Sequence, residues 1–244
     1  MDARLTMDRF EPGMPATAIP VPLLEEREQI LPFTVRAVTS AEQLAKAVSI
    51  RHRAYGRHVP TLAEQLRRPE PLDVASGCTV LLAESKLDGD AIGTLRIQTN
   101  RYRPLSVESA IALPRRFDGL NLAEATRLGV QQGRTGYAVR TALFKAFYLY
   151  CVEAGIDYMV IGGRAPLDRM YEGLLFSDVF PGAGLVPLPY AGNIPHRIMS
   201  FEVDTAEERW SAASHPLYDF VFRTAHPDID LTAATGVEGV ALAA

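Results

Sequence analysis

The residues with the most chemical content lie in and just after the run 120–130, which reads as a strand. Alternate side chains of a strand share a face, so Glu124 falls in with Leu122, Thr126 and Leu128. A carboxyl in an apolar lining is biased toward its neutral form, which moves its pKa toward the range of a general base near neutrality. A buried acid satisfied by an arginine such as Arg51 or Arg96 gives the same pattern, and the spacing leaves both readings open. In an unbroken strand Arg127 points to the opposite face, beside Ala125 and Gly129, as a structural ion-pair member; a bulge would change that. The run ends in the polar turn Gln131-Gln132-Gly133-Arg134-Thr135-Gly136, and a helix is expected from Tyr137. A strand entering a helix N-terminus through such a turn gathers free backbone N–H groups around one point, as an anion seat does; a plain connection reads the same way.

Other elements must hold these residues in place. Residues 33–38 read as a short strand, and Ser40 caps a helix running from 41 to about 55. Runs 78–85 and 91–99 are rich in β-formers and are joined by Leu87-Asp88-Gly89-Asp90, a strong hairpin signal. The helix 137–154 is apolar nearly all round and therefore buried, with Gly155 in the left-handed cap position. A buried strand at 156–161 follows. Pro166 then opens a helix with Leu167, Met170, Tyr171, Leu174 and Leu175 on one stripe. A last strand at 196–203 and helical material at 206–222 complete an α/β (α+β) pattern with a mostly antiparallel sheet flanked by helices.

The chain of 244 residues, 48% hydrophobic and 22% charged, has ordinary globular composition and room for one domain, expected over residues 32–224. Pro12, Pro15, Pro20 and Pro22 make residues 1–31 read as an extended arm, and 225–244 as a tail. A net charge of -4 gives no basic field, so nucleic acid is not the expected partner. An acidic partner would have to meet a local patch, with Arg101, Arg103, Arg115, Arg116, Arg134, Arg140 and Lys145 as possible members. Cys78 and Cys151 sit in apolar runs, as small core residues do in a reducing compartment, and no metal-ligand spacing occurs. The first residues carry acids and no apolar signal region, and the most apolar stretch holds Arg140 and Lys145. The expectation is a soluble, cytoplasmic protein without integral membrane association.

The order of these elements resembles the GNAT acyltransferase fold, and three strings within it sharpen the likeness. Arg51-His-Arg-Ala-Tyr55, Gly93-Thr-Leu-Arg96 and Glu124-Ala-Thr-Arg127-Leu-Gly-Val130 are similar to strings of the long-chain N-acyl amino acid synthases. They also resemble, more distantly, those of the acyl-homoserine-lactone (autoinducer) synthases. There are departures. His58 stands where an acid is common, only Glu70 and Asp73 echo a run of acids before the hairpin, and Arg134 falls where coenzyme A users have glycine. These point away from a homoserine lactone product and from an acetyl-CoA donor.

The resemblance implies transfer of a medium or long acyl chain from acyl carrier protein, or from coenzyme A, to the α-amine of an amino acid. An acyl-phosphopantetheine thioester would be co-substrate, with no permanently bound cofactor. Glu124 would take the amine's proton, and Tyr171 would protonate the leaving thiolate unless it is only a core residue. Arg51, Tyr55, Arg96 and Arg127 would bind the acceptor, the two strand-and-helix arginines either clamping its carboxylate or holding Glu124. A distorted strand at Leu128, Gly129 and Val130, with Arg134 and Gly136 in the turn, would hold the thioester carbonyl and pantetheine. Leu143, Phe144, Phe147, Tyr148, Leu149 and Tyr150 suit core packing or a wall for a long chain. The alternatives are a small-molecule N-acetyltransferase using acetyl-CoA and a non-catalytic acyl or pantetheine binding module.

Overall fold

The computed structural model describes residues 27–235. Strands β1 (Arg27–Glu28) and β2 (Phe33–Ala37) lead into α1 (Ala41–Gly56) and α2 (Pro60–Gln65). The hairpin β3 (Cys78–Ser85) and β4 (Ala91–Thr99) is followed by α3 (Ser106–Ala110), β5 (Leu122–Val130), α4 (Gly133–Glu153) and β6 (Tyr158–Gly163). Next come α5 (Leu167–Gly173), β7 (Ser177–Asp178), β8 (Val186–Leu188) and β9 (Ile194–Glu202). The chain closes with α6 (Ala206–Ala212), β10 (Thr224–Ala225), β11 (Ile229–Asp230) and α7 (Thr232–Thr235).

The main sheet runs β11-β2-β3-β4-β5-β6-β9-β7, with β8 also on β9. Pairings β2·β3, β3·β4, β4·β5 and β6·β9 are antiparallel, whereas β5·β6 is parallel because α4 carries the chain back between them. Gly89, at φ +74°, turns the hairpin as the Asp-Gly pair requires. Ser40 accepts a hydrogen bond from the Gln43 N–H and so starts α1. Gly155, at φ +60°, ends α4.

Side-chain alternation on the central strands splits the interior in two. On one face α4 packs with Leu95, Ile97, Val139, Leu143, Phe147 and Trp210 in the larger core. On the other, Leu122 and Val160 pack with Leu105, Val107, Leu188 and Ile198. The sheet thus separates two chemical environments, and both meet at β5.

Three expectations change. The long helix begins at Gly133, so the glycine-containing turn is largely its first turn rather than a connection before it. Helical material at 206–222 is α6 and a separate single turn at Asp219–Arg223, divided by Ser214 at φ +48°. Residues 27–31 and 225–235, assigned to arm and tail, are strapped to the body. There β1 pairs with β10 and β11 with β2, the Asp228 carboxylate accepts the Leu31 N–H at 2.8 Å, and Leu31 is buried. Two-residue strands are too short to leave a periodic signal. The rest of the expected arm, with its prolines, and the end of the tail lie outside the described residues.

Candidate active site

Strands β5 and β6 pair only from Leu122↔Tyr158 to Ala125↔Ile161. Beyond Ala125, residues 126–130 of β5 have β4 on one side and no strand on the other, among the described residues. The two neighbours therefore open into a slot. At the same place the register with β4 shifts between Thr94 and Arg96, and Arg127 takes φ +57°. One extra residue in a strand breaks the alternation. Arg127 consequently turns onto the α1 face, while Leu128 lines the α4 face with Ala125. The unbroken-strand placement, with Arg127 opposite Glu124 and Leu128 beside it, is corrected by this bulge. Gly129 returns to the α1 face, where a Cβ would lie 3.1 Å from the Ala54 Cβ and the Arg51 Cα.

Three guanidiniums and two carboxylates converge on that face. Arg51 grips Asp73 with both Nη atoms at 2.9 Å, and Arg96 Nη1 donates to Glu70 at 3.0 Å and to Asp73 at 3.1 Å. Arg127 forks onto Glu70 with two bonds of 2.6 Å. Burial pushes the Asp73 and Glu70 carboxyls up, but the arginines outweigh it and hold both below the usual range. Arg51 and Arg96 are fully buried. In place of an acceptor carboxylate these guanidiniums hold Asp73 and Glu70, with the Arg96 Nε on the Thr126 hydroxyl and the Arg51 Nε left without a partner among the described residues. Neither donates a hydrogen bond to Glu124.

Glu124 is fully buried, and its carboxylate accepts the Tyr190 hydroxyl at 2.7 Å and the Val107 N–H at 3.1 Å. Burial raises its pKa, opposed by these two bonds and by the charge of Arg96. The count of three cations against two anions in the cluster leaves one positive charge beside it, which favours the ionised form without offsetting the cost of burial. Tyr190, half-buried on the short turn between β8 and β9, also accepts the Arg127 Nη2 through its carbonyl at 2.9 Å. Burial pushes the Tyr190 hydroxyl well up, so it stays protonated and keeps donating to Glu124.

Across the sheet lies a cavity of about 240 Å³. Leu95, Ala125 and Leu128 of the bulged pair and Ile161 of β6 form its sheet wall, and α4 adds Tyr137, Arg140, Thr141, Leu143, Phe144 and Phe147. Met170, Tyr171, Leu174 and Phe176 come from α5 and just beyond it, and His215, Pro216 and Leu217 add a further wall. Glu124 does not border this space; it stands on the other face of the sheet, in the last stretch of β5 still paired with β6. Tyr171 does border it, edge-on to Phe176 at 5.7 Å, and burial raises its hydroxyl pKa, with the nearby Tyr55 adding to the shift. Tyr55, near the end of α1, lies within electrostatic reach of both Arg127 and Tyr171.

The N-terminus of α4 stands at the end of the bulged strand. Its first turn carries no acid, and its leading N–H groups have no intrahelical acceptor. At Gly136 a Cβ would overlap the Gln131 carbonyl oxygen, so only glycine permits this approach. Arg134 is exposed on the first turn, and Arg57 donates to the Val130 carbonyl at 2.7 Å. The structure therefore gathers Tyr55, Arg127, Leu128, Val130, Gly136 and Tyr171 around the slot. Arg51, Arg96 and Gly129 lie beneath it, and Glu124 lies behind Tyr190. Sequence reasoning missed Tyr190, for which no local signal exists. It noticed Glu70 and Asp73 only as echoes of an acid run and did not pair them with the three arginines.

Among the described residues no helix is long and apolar enough to cross a membrane. A family model described as N-acyl amino acid synthase FeeM matches residues 46–202. Among solved structures, an N-acyl amino acid synthase, FeeM, from uncultured soil microbes superposes with a TM-score of 0.59 at 18% identity, covering 77% of this chain and 96% of its own. A CoA-dependent acyl-homoserine lactone synthase, BjaI, gives 0.52 at 18% identity over 84% and 98%. A putative N-acetyltransferase from Lactobacillus plantarum gives 0.51 at 16% identity over 71% and 99%. At these identities the likeness establishes the GNAT fold. No curated protein sequence matches the chain.

Proposed function

Because the chain belongs to the N-acyl amino acid synthase FeeM family and is an acyltransferase, we propose that it moves a medium- or long-chain acyl group from a pantetheine thioester to the α-amine of an amino acid. The observation that carries this reading is the slot itself, which opens after Ala125 beside an apolar cavity on one face, with the buried carboxylate of Glu124 on the other face just before it along β5. In this reading the pantetheine arm lies along residues 128–130, with the α4 N-terminus beside its phosphate end. The acyl chain fills the cavity. The thioester carbonyl sits in the slot, where β5 main chain unpaired with β6 offers donors.

The acceptor amine approaches from the Glu124 face. An α-amine is largely protonated at neutral pH and must lose a proton before or during attack. Glu124 has no direct path to it, so Tyr190 relays. The ammonium first gives one proton to solvent; as the neutral nitrogen then bonds to the carbonyl carbon, a second N–H proton passes to the Tyr190 oxygen while the Tyr190 proton passes to Glu124. Collapse of the tetrahedral adduct breaks the C–S bond, and the thiolate is a fair leaving group that Tyr171 protonates. Arg127, like Arg51 and Arg96, is already paired with an acid, so the phenol of Tyr55 beside it is the group that meets the acceptor carboxylate. Acyl carrier protein suits the donor role because Arg57, Arg134 and Arg140 lie around the entrance and would meet an acidic carrier. The cavity is larger than an acetyl group needs, which counts against a small-molecule acetyltransferase.

Mass spectrometry of lipid extracts from an overexpressing host tests the reading directly. New acyl amides of amino acids are expected; their absence, with soluble protein present, contradicts it.

A further inference from the structure

The walls of the acyl cavity differ in origin. Those from the sheet, α4 and α5 lie within the family-matched residues 46–202, whereas His215, Pro216 and Leu217 lie beyond them. This last wall is firmly fixed. Trp210 is fully buried, stacks on Phe144 at 5.6 Å and on His215 at 3.8 Å, and donates its indole N–H to the Leu174 carbonyl at 3.2 Å. His215 uses both ring nitrogens on backbone. Nδ1 accepts the Leu217 N–H at 3.1 Å, which leaves Nε2 to donate to the Gly173 carbonyl at 2.8 Å. Its polar atoms are spent, so it meets the cavity as ring carbon. The segment therefore bridges α5 and α4 as an apolar plug that cannot yield without breaking these bonds.

From this geometry we infer that residues 210–217 act as a length stop for the acyl chain, restricting the donor to medium-length groups. The inference rests on the acyl-transfer reading and narrows it. The cavity holds about 240 Å³. Taking a methylene as occupying about a water's share of liquid volume, roughly 30 Å³, the space accepts about eight carbons. Each methylene buried short of the stop strengthens binding about fourfold. Each one beyond it must displace Leu217, His215 or Phe144, and the gain reverses.

The test uses saturated acyl-CoA thioesters from two to sixteen carbons, with two readouts. One is transfer to a mixture of amino acids. The other is the fluorescence of Trp210, the chain's single tryptophan, which reports occupancy of the cavity without turnover. Both readouts should rise by about fourfold per added methylene, peak near eight to ten carbons and then fall. Leu217→Ala, which leaves the Trp210 stack in place, should move the optimum up by two or more carbons. Thr141→Leu, which fills the α4 wall, should move it down. A flat profile, an optimum at acetyl or at sixteen carbons, an unmoved optimum in both variants, or no binding at all overturns the length stop. A chain-length optimum in fluorescence without any amide product keeps the stop and sinks the transfer reading; amide formed without length preference does the reverse.

Discussion

The two faces of the β4–β5 pair invert each other's logic. On the α4 face Leu95, Ala125 and Leu128 border an apolar space that is open to a ligand. On the α1 face, a few ångströms away through the same backbone, Arg96 and Arg127 are closed onto Glu70 and Asp73 and leave no room. The comparison assigns work. Apolar side chains can line a space kept for a ligand because they carry no charge to satisfy, whereas buried charges must be paired at once. The charged face is therefore scaffold first, and the acid proposed to react, Glu124, is held by a neutral phenol instead of an arginine.

The largest effect should come from breaking the scaffold. Asp73→Asn leaves the buried Arg51 without its fork and should cost about 3–5 kcal/mol of stability, read from denaturant unfolding. The same pairs set an acid limit. Their folded pKa values lie below the ordinary carboxylate value, so the stability they contribute is complete above about pH 4 and is lost as pH falls through the depressed values.

Glu124→Gln probes the reactive member and should separate the two roles on one face. Transfer should fall by roughly 100-fold while the melting temperature holds or rises, because a raised carboxyl pKa means the ionised form is a burden to the fold. In the wild-type protein the rate should decline as pH drops through that raised value. Tyr190→Phe comes next, with a loss of about tenfold and a shift of the pH–rate profile, because Glu124 then titrates without its phenol donor. A loss in Tyr190→Phe without any change in the profile would mark the tyrosine as a wall and not a relay. The smallest effect belongs far from the slot. Burial and the nearby Lys145 hold the His226 pKa down to about 4. Stability should therefore decline modestly as pH falls from about 6.5 toward 4, and His226→Gln should remove that slope.

Much of this arrangement was legible because it follows local rules. The β3–β4 hairpin is written in its alternation and its Asp-Gly turn, and the Ser40 cap and the Gly155 stop mark their helices directly. The string from Glu124 to Val130 pointed to the site but gave the wrong facing for Arg127 and Leu128, since alternation assumes a regular backbone and a bulge at Arg127 breaks it. Arg51 and Arg96 were legible as carboxylate partners, either for the acceptor or for Glu124, yet their pairing with Glu70 and Asp73 depends on how the segment after α2 folds back, which no periodicity encodes. Tyr190 is further removed still. It reaches Glu124 only because β8 and β9 bring a proline- and glycine-rich turn across 66 residues of sequence.

One measurement bears most directly on the slot as a place where a thioester and an amine meet across the sheet. Purified protein should be given a medium-chain acyl carrier protein and a mixture of amino acids in a single turnover, with thiol release and product mass followed together, for wild type and for Glu124→Gln. The account predicts one equivalent of N-acyl amino acid per thiol released by the wild type, and a rate roughly 100-fold lower in the folded variant. Equal rates for the two proteins, or thiol release with no amide, would contradict it.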